Sequence, residues 1–122
     1  MTIGILGIDN MMFGVRDLDE AISFYERIGF VVRFRVPAPP IALFAVGNER
    51  PGLLLRQEKT PTPGRFWVEV RNADAVQSAL AERGLQTATV ETATGRTVEV
   101  TDPSGNVVGY ADYRKRAELA RH

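Results

Sequence analysis

Residues 15–30 read V-R-D-L-D-E-A-I-S-F-Y-E-R-I-G-F. This stretch holds a helix with both ends marked. Asp17 stands three residues before Glu20, the spacing of a capping box, in which the Asp carboxylate accepts a helix N–H while the Glu reaches back. Leu18, Ala21, Tyr25 and Ile28 then recur at helical spacing, and Ile22 and Phe24 widen the apolar face. Gly29 predicts the stop, because it enters the left-handed region at little cost. Upstream, residues 8–15 are apolar and β-prone and predict a strand. Downstream, residues 30–36 set Val32, Phe34 and Val36 against Arg33 and Arg35, the alternation of a half-buried strand. Pro37, Pro39 and Pro40 end it. Residues 41–46 and 53–57 predict two more strands around the turn at 47–52. The first half is therefore β-α-β-β-β.

Residues 58–64, E-K-T-P-T-P-G, form a polar, Pro-rich linker. After it the order recurs. Residues 65–70 predict a strand, Asn72 an N-cap, and Val76, Ala79, Leu80 and Arg83 a helix that Gly84 closes. Residues 85–92, 96–101 and 106–113 predict three further strands, with Asp102-Pro103-Ser104-Gly105 as the last hairpin turn. Residues 114–121 predict a short frayed helix. A shift of 55 positions lays Val15 on Val70, Arg16 on Arg71, Asp19 on Asp74 and Gly29 on Gly84, with Asp17 on Asn72 and Phe30 on Leu85. The matches fall on the strand end, the helix cap and the helix stop, which set chain geometry. Duplication of one module explains them.

A chain of 122 residues holds one domain or two small repeated modules. Its 44% hydrophobic and 25% charged residues exclude wholesale disorder. Fifteen basic residues balance fifteen acidic ones, which argues against nucleic acid as the partner. The absence of cysteine excludes disulfide frameworks, thiolate zinc sites and cysteine nucleophiles. His122, the single histidine, is the last residue, so a histidine base or a His-rich metal site is not expected. Residues 1–8 are apolar but short and lack a basic flank, and no run approaches the roughly 18 apolar residues that span a bilayer. No membrane association is expected, and the cytoplasm is the expected compartment.

The two modules, with the quoted stretch in the first and T-D-P-S-G-N-V-V at residues 101–108 in the second, resemble the vicinal oxygen chelate (VOC) superfamily. That group includes glyoxalase I, extradiol dioxygenases, fosfomycin-resistance enzymes and bleomycin-resistance proteins. The resemblance covers about residues 5–113 and speaks for fold more than for activity. It implies an α+β fold in which two βαβββ modules pair into an eight-stranded cup with helices on the outer faces. The chain would then be a single domain over residues 1–122, with module 1 about 5–57, the linker 58–64, module 2 about 65–113 and a tail 114–122. A homodimer is also implied.

Enzymes of that family hold a divalent metal through His, Glu or Gln at four strand positions. By the resemblance, those positions here are Asn10, Arg65, Gly109 and either Leu54 or Leu55. Asn can lend a carbonyl oxygen to a hard cation, but Gly and Leu offer no donor and Arg is a permanent cation. Two unit charges about 4 Å apart interact by roughly 4 kcal/mol at an effective dielectric of 20, and a divalent ion doubles that. Arg65 would therefore repel the ion. No metal or other cofactor is expected, and metal-dependent glyoxalase, dioxygenase or thiol-transfer activity is disfavoured.

Strand alternation assigns the faces. With Asn10 in the cup, Met12 and Gly14 join it, and Met11, Phe13 and Val15 face the helix. With Arg65 in the cup, Trp67 and Glu69 join it, leaving Phe66, Val68 and Val70 as an apolar stripe. Val98 and Val100 face the helix, so Thr97, Glu99 and Thr101 point inward, and Phe44 is placed inward too. The expected ligand-binding set is Asn10, Met12, Phe44, Arg65, Trp67, Glu69 and Glu99. It suits a small planar or amphipathic organic ligand, stacked on an aromatic face, fitted by an adaptable Met and oriented by a few polar groups. Plainer readings stand beside these. Trp67 could cap the sheet or sit in an interface, Arg65 and Glu69 could form a solvated ion pair, and Met12 could be core filler. Glu99 reads as exposed, Phe24 and Tyr25 as packing, and the Arg-Lys-Arg run at 114–116 as a solvated tail.

The expected function is metal-free small-molecule binding, similar to the bleomycin-resistance branch, which protects by sequestering a drug. One alternative is a metal-independent isomerase or cyclase, with Glu69 or Glu99 as catalytic base and Arg65 stabilising an enolate. Another is a metal-dependent lyase or dioxygenase using Asn10, Glu69 and Glu99 as unconventional ligands. A last alternative is a scaffold module that uses the cup edge for protein contacts.

Overall fold

A computed structural model describes residues 3–6 and 8–121. The element order is β1 (Asn10–Val15), α1 (Leu18–Arg27), β2 (Val31–Val36), β3 (Ile41–Ala45), β4 (Gly52–Gln57), β5 (Arg65–Glu69), α2 (Ala73–Glu82), β6 (Ala88–Glu91), β7 (Arg96–Thr101) and β8 (Val107–Ala111). The helix expected in the tail is only a 3-10 turn at Ala117–Leu119. The chain divides after Pro61 into two compact units, each an α+β module of one helix and one mixed sheet. His122 and part of the apolar start lie outside the described residues. No helix is long and apolar enough to cross a membrane among the described residues.

In the first unit, the side chain of Asp17 accepts from the Glu20 N–H at 3.0 Å, so the cap forms as the spacing predicts. Gly29 closes the helix at φ +103°, a left-handed value that a Cβ would disfavour. The strand order is β1-β4-β3-β2, with β1 parallel to β4 and the other pairs antiparallel. Tyr25 of α1 is the centre of the core, with the Phe24, Phe30 and Phe44 rings 5.5, 5.7 and 5.9 Å away. Val15, Leu53 and Leu55 are fully buried with it. Each such side chain contributes roughly 1.5–3 kcal/mol on burial.

Phe44 corrects an expectation. The sequence places it in the cup, but it is 0% exposed and packs on Tyr25. Alternation along β3 puts Ala42 and Phe44 on the helix side, both without exposed surface. The sequence I-A-L-F-A has no polar residue to mark its outer face.

The second unit repeats the plan, in the order β5-β8-β7-β6 with β5 parallel to β8. Asn72 caps α2, accepting from the N–H groups of Asp74 and Ala75 at 2.9 and 3.2 Å. α2 packs on β7 and β8, and Leu80, Val98, Val100 and Val108 form the centre of the core. The strand expected over residues 85–92 is trimmed to Ala88–Glu91, all exposed at the sheet edge.

The D-P-S-G-N turn is a folding device. Asp102 Oδ1 accepts from the Ser104 and Asn106 N–H groups, both at 2.8 Å, and Oδ2 from the Asn106 amide at 2.9 Å. Asn106 is fully buried, and its Oδ1 accepts from the Gly64 N–H at 2.7 Å. One turn therefore fixes both the β7–β8 hairpin and the entry to β5.

Candidate functional site

The second sheet carries a polar and aromatic cluster on the face opposite α2. Trp67 pairs with Gly109, and Gly109 with Glu99, so the three residues lie side by side across β5, β8 and β7. Glu99 Oε2 accepts from Arg65 Nη1 at 3.0 Å and from Trp67 Nε1 at 3.3 Å. One carboxylate oxygen thus joins the cation to the indole. The Glu99 side chain is only 14% exposed, against its expected exposure, because the two partners cover it. Trp67 itself stays 54% exposed. Gly109 lies under the pyrrole edge of the indole, and a Cβ there would fall in the space of Cδ1 and Nε1. Beside Glu99, a recess of 370 Å³ opens between residues 85–88 and β7.

Glu69 does not pair with Arg65. Its Oε1 takes Arg121 Nη1 at 2.7 Å and its Oε2 takes the Arg121 backbone N–H at 2.8 Å. The chain after the 3-10 turn thus returns to the end of β5. The run at 114–116 is not a free tail either. Arg114 donates to Asp112 through Nε and Nη2, at 3.0 and 2.7 Å at the closest, and Lys115 Nζ to the Thr92 carbonyl at 3.0 Å. Asp112 is buried and needs a counter-charge, which Arg114 supplies. The Arg114 guanidinium, helped by the Ala73, Arg114 and Arg96 N–H groups, holds the Asp112 carboxyl well below the usual range.

The first sheet offers an apolar counterpart. Met12 pairs with Leu54, Leu54 with Leu43, and Leu43 with Phe34 across the four strands. Met12 and Phe34 are exposed, and Leu54 is half-buried. The pairing of Met12 with Leu54 matches that of Trp67 with Gly109, which makes Leu54, not the buried Leu55, the counterpart of Gly109. Asn10 Oδ1 accepts from the Gly52 N–H at 3.0 Å and is committed to β4.

Of the expected set, the fold brings together Arg65, Trp67 and Glu99. Glu69 is on the same strand but is engaged by Arg121, Asn10 and Met12 belong to the first sheet, and Phe44 is core. Sequence reading missed Phe34, Arg121 and the seat at Gly109. A glycine inside a strand marks close approach by another group, which was the available signal for Gly109.

The metal of the resembled family does not fit these residues. Asn10 has its oxygen on a backbone N–H, Arg65 is a cation, Leu54 is aliphatic, and Gly109 has an indole where a ligand side chain would stand. No group of three or more His, Cys, Asp or Glu side chains is placed to hold a metal ion among the described residues.

Residues 7–110 match the family described as Glyoxalase/Bleomycin resistance protein/Dioxygenase superfamily. No curated protein sequence matches the chain. Among solved structures, the chain is similar to TnmS3, an antibiotic binding protein from Streptomyces sp. CB03234, at 27% identity and TM-score 0.80, over 92% of this chain and 99% of that one. It is also similar to a lactoylglutathione lyase from Agrobacterium tumefaciens, at 19% identity and TM-score 0.76, over 88% of this chain and 94% of that one. A glyoxalase/bleomycin resistance protein from Streptomyces sp. CB03234 shares 23% identity at TM-score 0.70, over 85% of this chain and 98% of that one.

Proposed function

This chain belongs to the glyoxalase/bleomycin resistance protein/dioxygenase superfamily, and from that premise we propose that it binds a small planar organic molecule without a metal, as a sequestering protein of the antibiotic-binding kind. The exposed indole of Trp67, held by Glu99 where the family places a metal ligand, carries this reading. A fixed aromatic side chain contributes roughly 0.5–1.5 kcal/mol of stacking beyond area burial. The likeness to an antibiotic binding protein over nearly the whole of both chains supports it. Homodimeric assembly, drawn from the family resemblance, and a cytoplasmic site of action are part of the same proposal.

The metal-independent isomerase or cyclase reading has less support. Glu69 and Glu99, its candidate bases, are each held by an arginine. Both oxygens of Glu69 are taken by Arg121, whereas a general base must reach the substrate proton with a free lone pair.

Titration of Trp67 emission against a panel of aromatic antibiotics and metabolites tests the proposal, with melting temperature as a second readout. Saturable quenching and a raised melting temperature are expected with at least one planar compound. No response to any compound class would overturn it. Elemental analysis of protein purified without chelator is expected to find far less than one metal ion per chain.

A further inference from the structure

Gly109 is an anomaly in its strand. It sits inside β8, where a glycine forgoes side-chain packing and loses more conformational entropy on folding than other residues. Its backbone does not require glycine, because its φ lies outside the left-handed region. The missing Cβ does one visible thing. It leaves room for Cδ1 and Nε1 of Trp67, with Thr97 Cγ2 3.0 Å from the same point. The indole therefore meets the sheet by its pyrrole edge, which puts the six-membered ring on the far side, away from β8. Nε1 reaches across to Glu99 Oε2 at 3.3 Å and fixes that orientation.

We propose that Gly109 is the positioning residue that seats the Trp67 indole upright on the sheet, and that the seated ring selects a flat, uncharged aromatic ligand carrying a hydrogen-bond donor. This rests on the small-molecule reading above. The donor is matched by Glu99 Oε1, which has no hydrogen-bond partner among the described residues. The ligand is uncharged because the nearby charges are already paired, Arg65 with Glu99 and Arg121 with Glu69. The ring is flat because a fixed indole rewards a π-face rather than a puckered one.

The test uses 2-naphthol as the flat donor and decahydro-2-naphthol as its puckered counterpart, followed by NMR. Trp67 is the only tryptophan, so its indole N–H gives one side-chain resonance. Gly109→Ala is expected to move that resonance and speed its solvent exchange, and to weaken 2-naphthol roughly fivefold, in line with the loss of one stacking partner. The same substitution in a Trp67→Leu background, where the clash is gone, is expected to change affinity less than about twofold, since coupled residues are non-additive. An unmoved indole resonance, or an equal loss in both backgrounds, would overturn the positioning role. If the wild-type chain bound both naphthols equally, the flat-ligand claim would fail while small-molecule binding stood. If it bound neither, and no compound of the broader panel either, the binding reading itself would fall.

Discussion

Gln57 and Asp112 perform the same task 55 positions apart in the chain. Gln57 Oε1 accepts from the Leu18 N–H at 2.9 Å, and Asp112 Oδ2 accepts from the Ala73 N–H at 2.9 Å. Each side chain follows or ends the last strand of its unit and ties that strand to the first residue of its helix. The helix starts are also 55 positions apart, so the bond is a duplicated feature. The copies differ in charge: one is a neutral amide, the other a buried carboxylate gripped by Arg114.

Unequal stability costs follow. Gln57→Ala removes one neutral acceptor from a helix N-terminus and is expected to cost about 1 kcal/mol. Asp112→Ala removes the acceptor of several N–H groups together with the partner of Arg114, and is expected to cost roughly 2–4 kcal/mol. Urea denaturation at neutral pH compares the two.

The charged copy also gives the second unit an acid response. The Asp112 carboxyl is held low in the fold, mainly by Arg114, while in the unfolded chain it titrates near 3.8. The unfolded state therefore takes up the proton first as pH falls. The contribution is complete above about pH 5 and declines as pH drops through 4 and below. Asp112→Asn is expected to flatten the stability profile between about pH 2 and 5 relative to wild type. A residual slope is expected from Asp74 and Glu91, which hydrogen bonds from Arg96 hold low.

Asn106 is sensitive to charge as well as to size. Its amide donates to Asp102 while its carbonyl oxygen accepts from Gly64. Asn106→Asp puts a second carboxylate against Asp102 in a buried turn and removes the donor. It is expected to destabilise by roughly 2–4 kcal/mol at pH 7, more than Asn106→Ala. Thermal melts of both variants at pH 7 check the order.

Phe44→Ala is expected to cost roughly 3–5 kcal/mol, as a large-to-small change inside an aromatic cluster. Met12→Ala, at 55% exposure, is expected to stay within about 1 kcal/mol. Chemical denaturation separates the two residues, which the sequence places in one ligand-binding set.

That pair also marks how far the sequence could be read. Asp17, Asn72, Gly29 and Gly84 act through bonds and dihedrals local to their own turns, and each was legible. Alternation placed Arg65 and Trp67 on one face because β5 intersperses charge with apolar side chains. It failed on I-A-L-F-A and left Leu54 and Leu55 unresolved, since runs without polar residues carry no phase. Register against Met12 supplies that phase, and register is a property of two strands. The partners of Glu99 and Glu69 were hidden for a related reason. Arg65 and Arg121 lie 34 and 52 positions away from them, and alternation gives a face without naming a neighbour.

The seat of Trp67 on Gly109 restricts which ancestors and descendants this chain can reach by single substitutions. Glu at 109 would collide with the ring before it could act as a donor. Replacing the ring alone would leave a bare strand with nothing to chelate. A route to chemistry at an ion therefore has to change both of these positions together, besides the cation at Arg65 and the aliphatic side chain at Leu54.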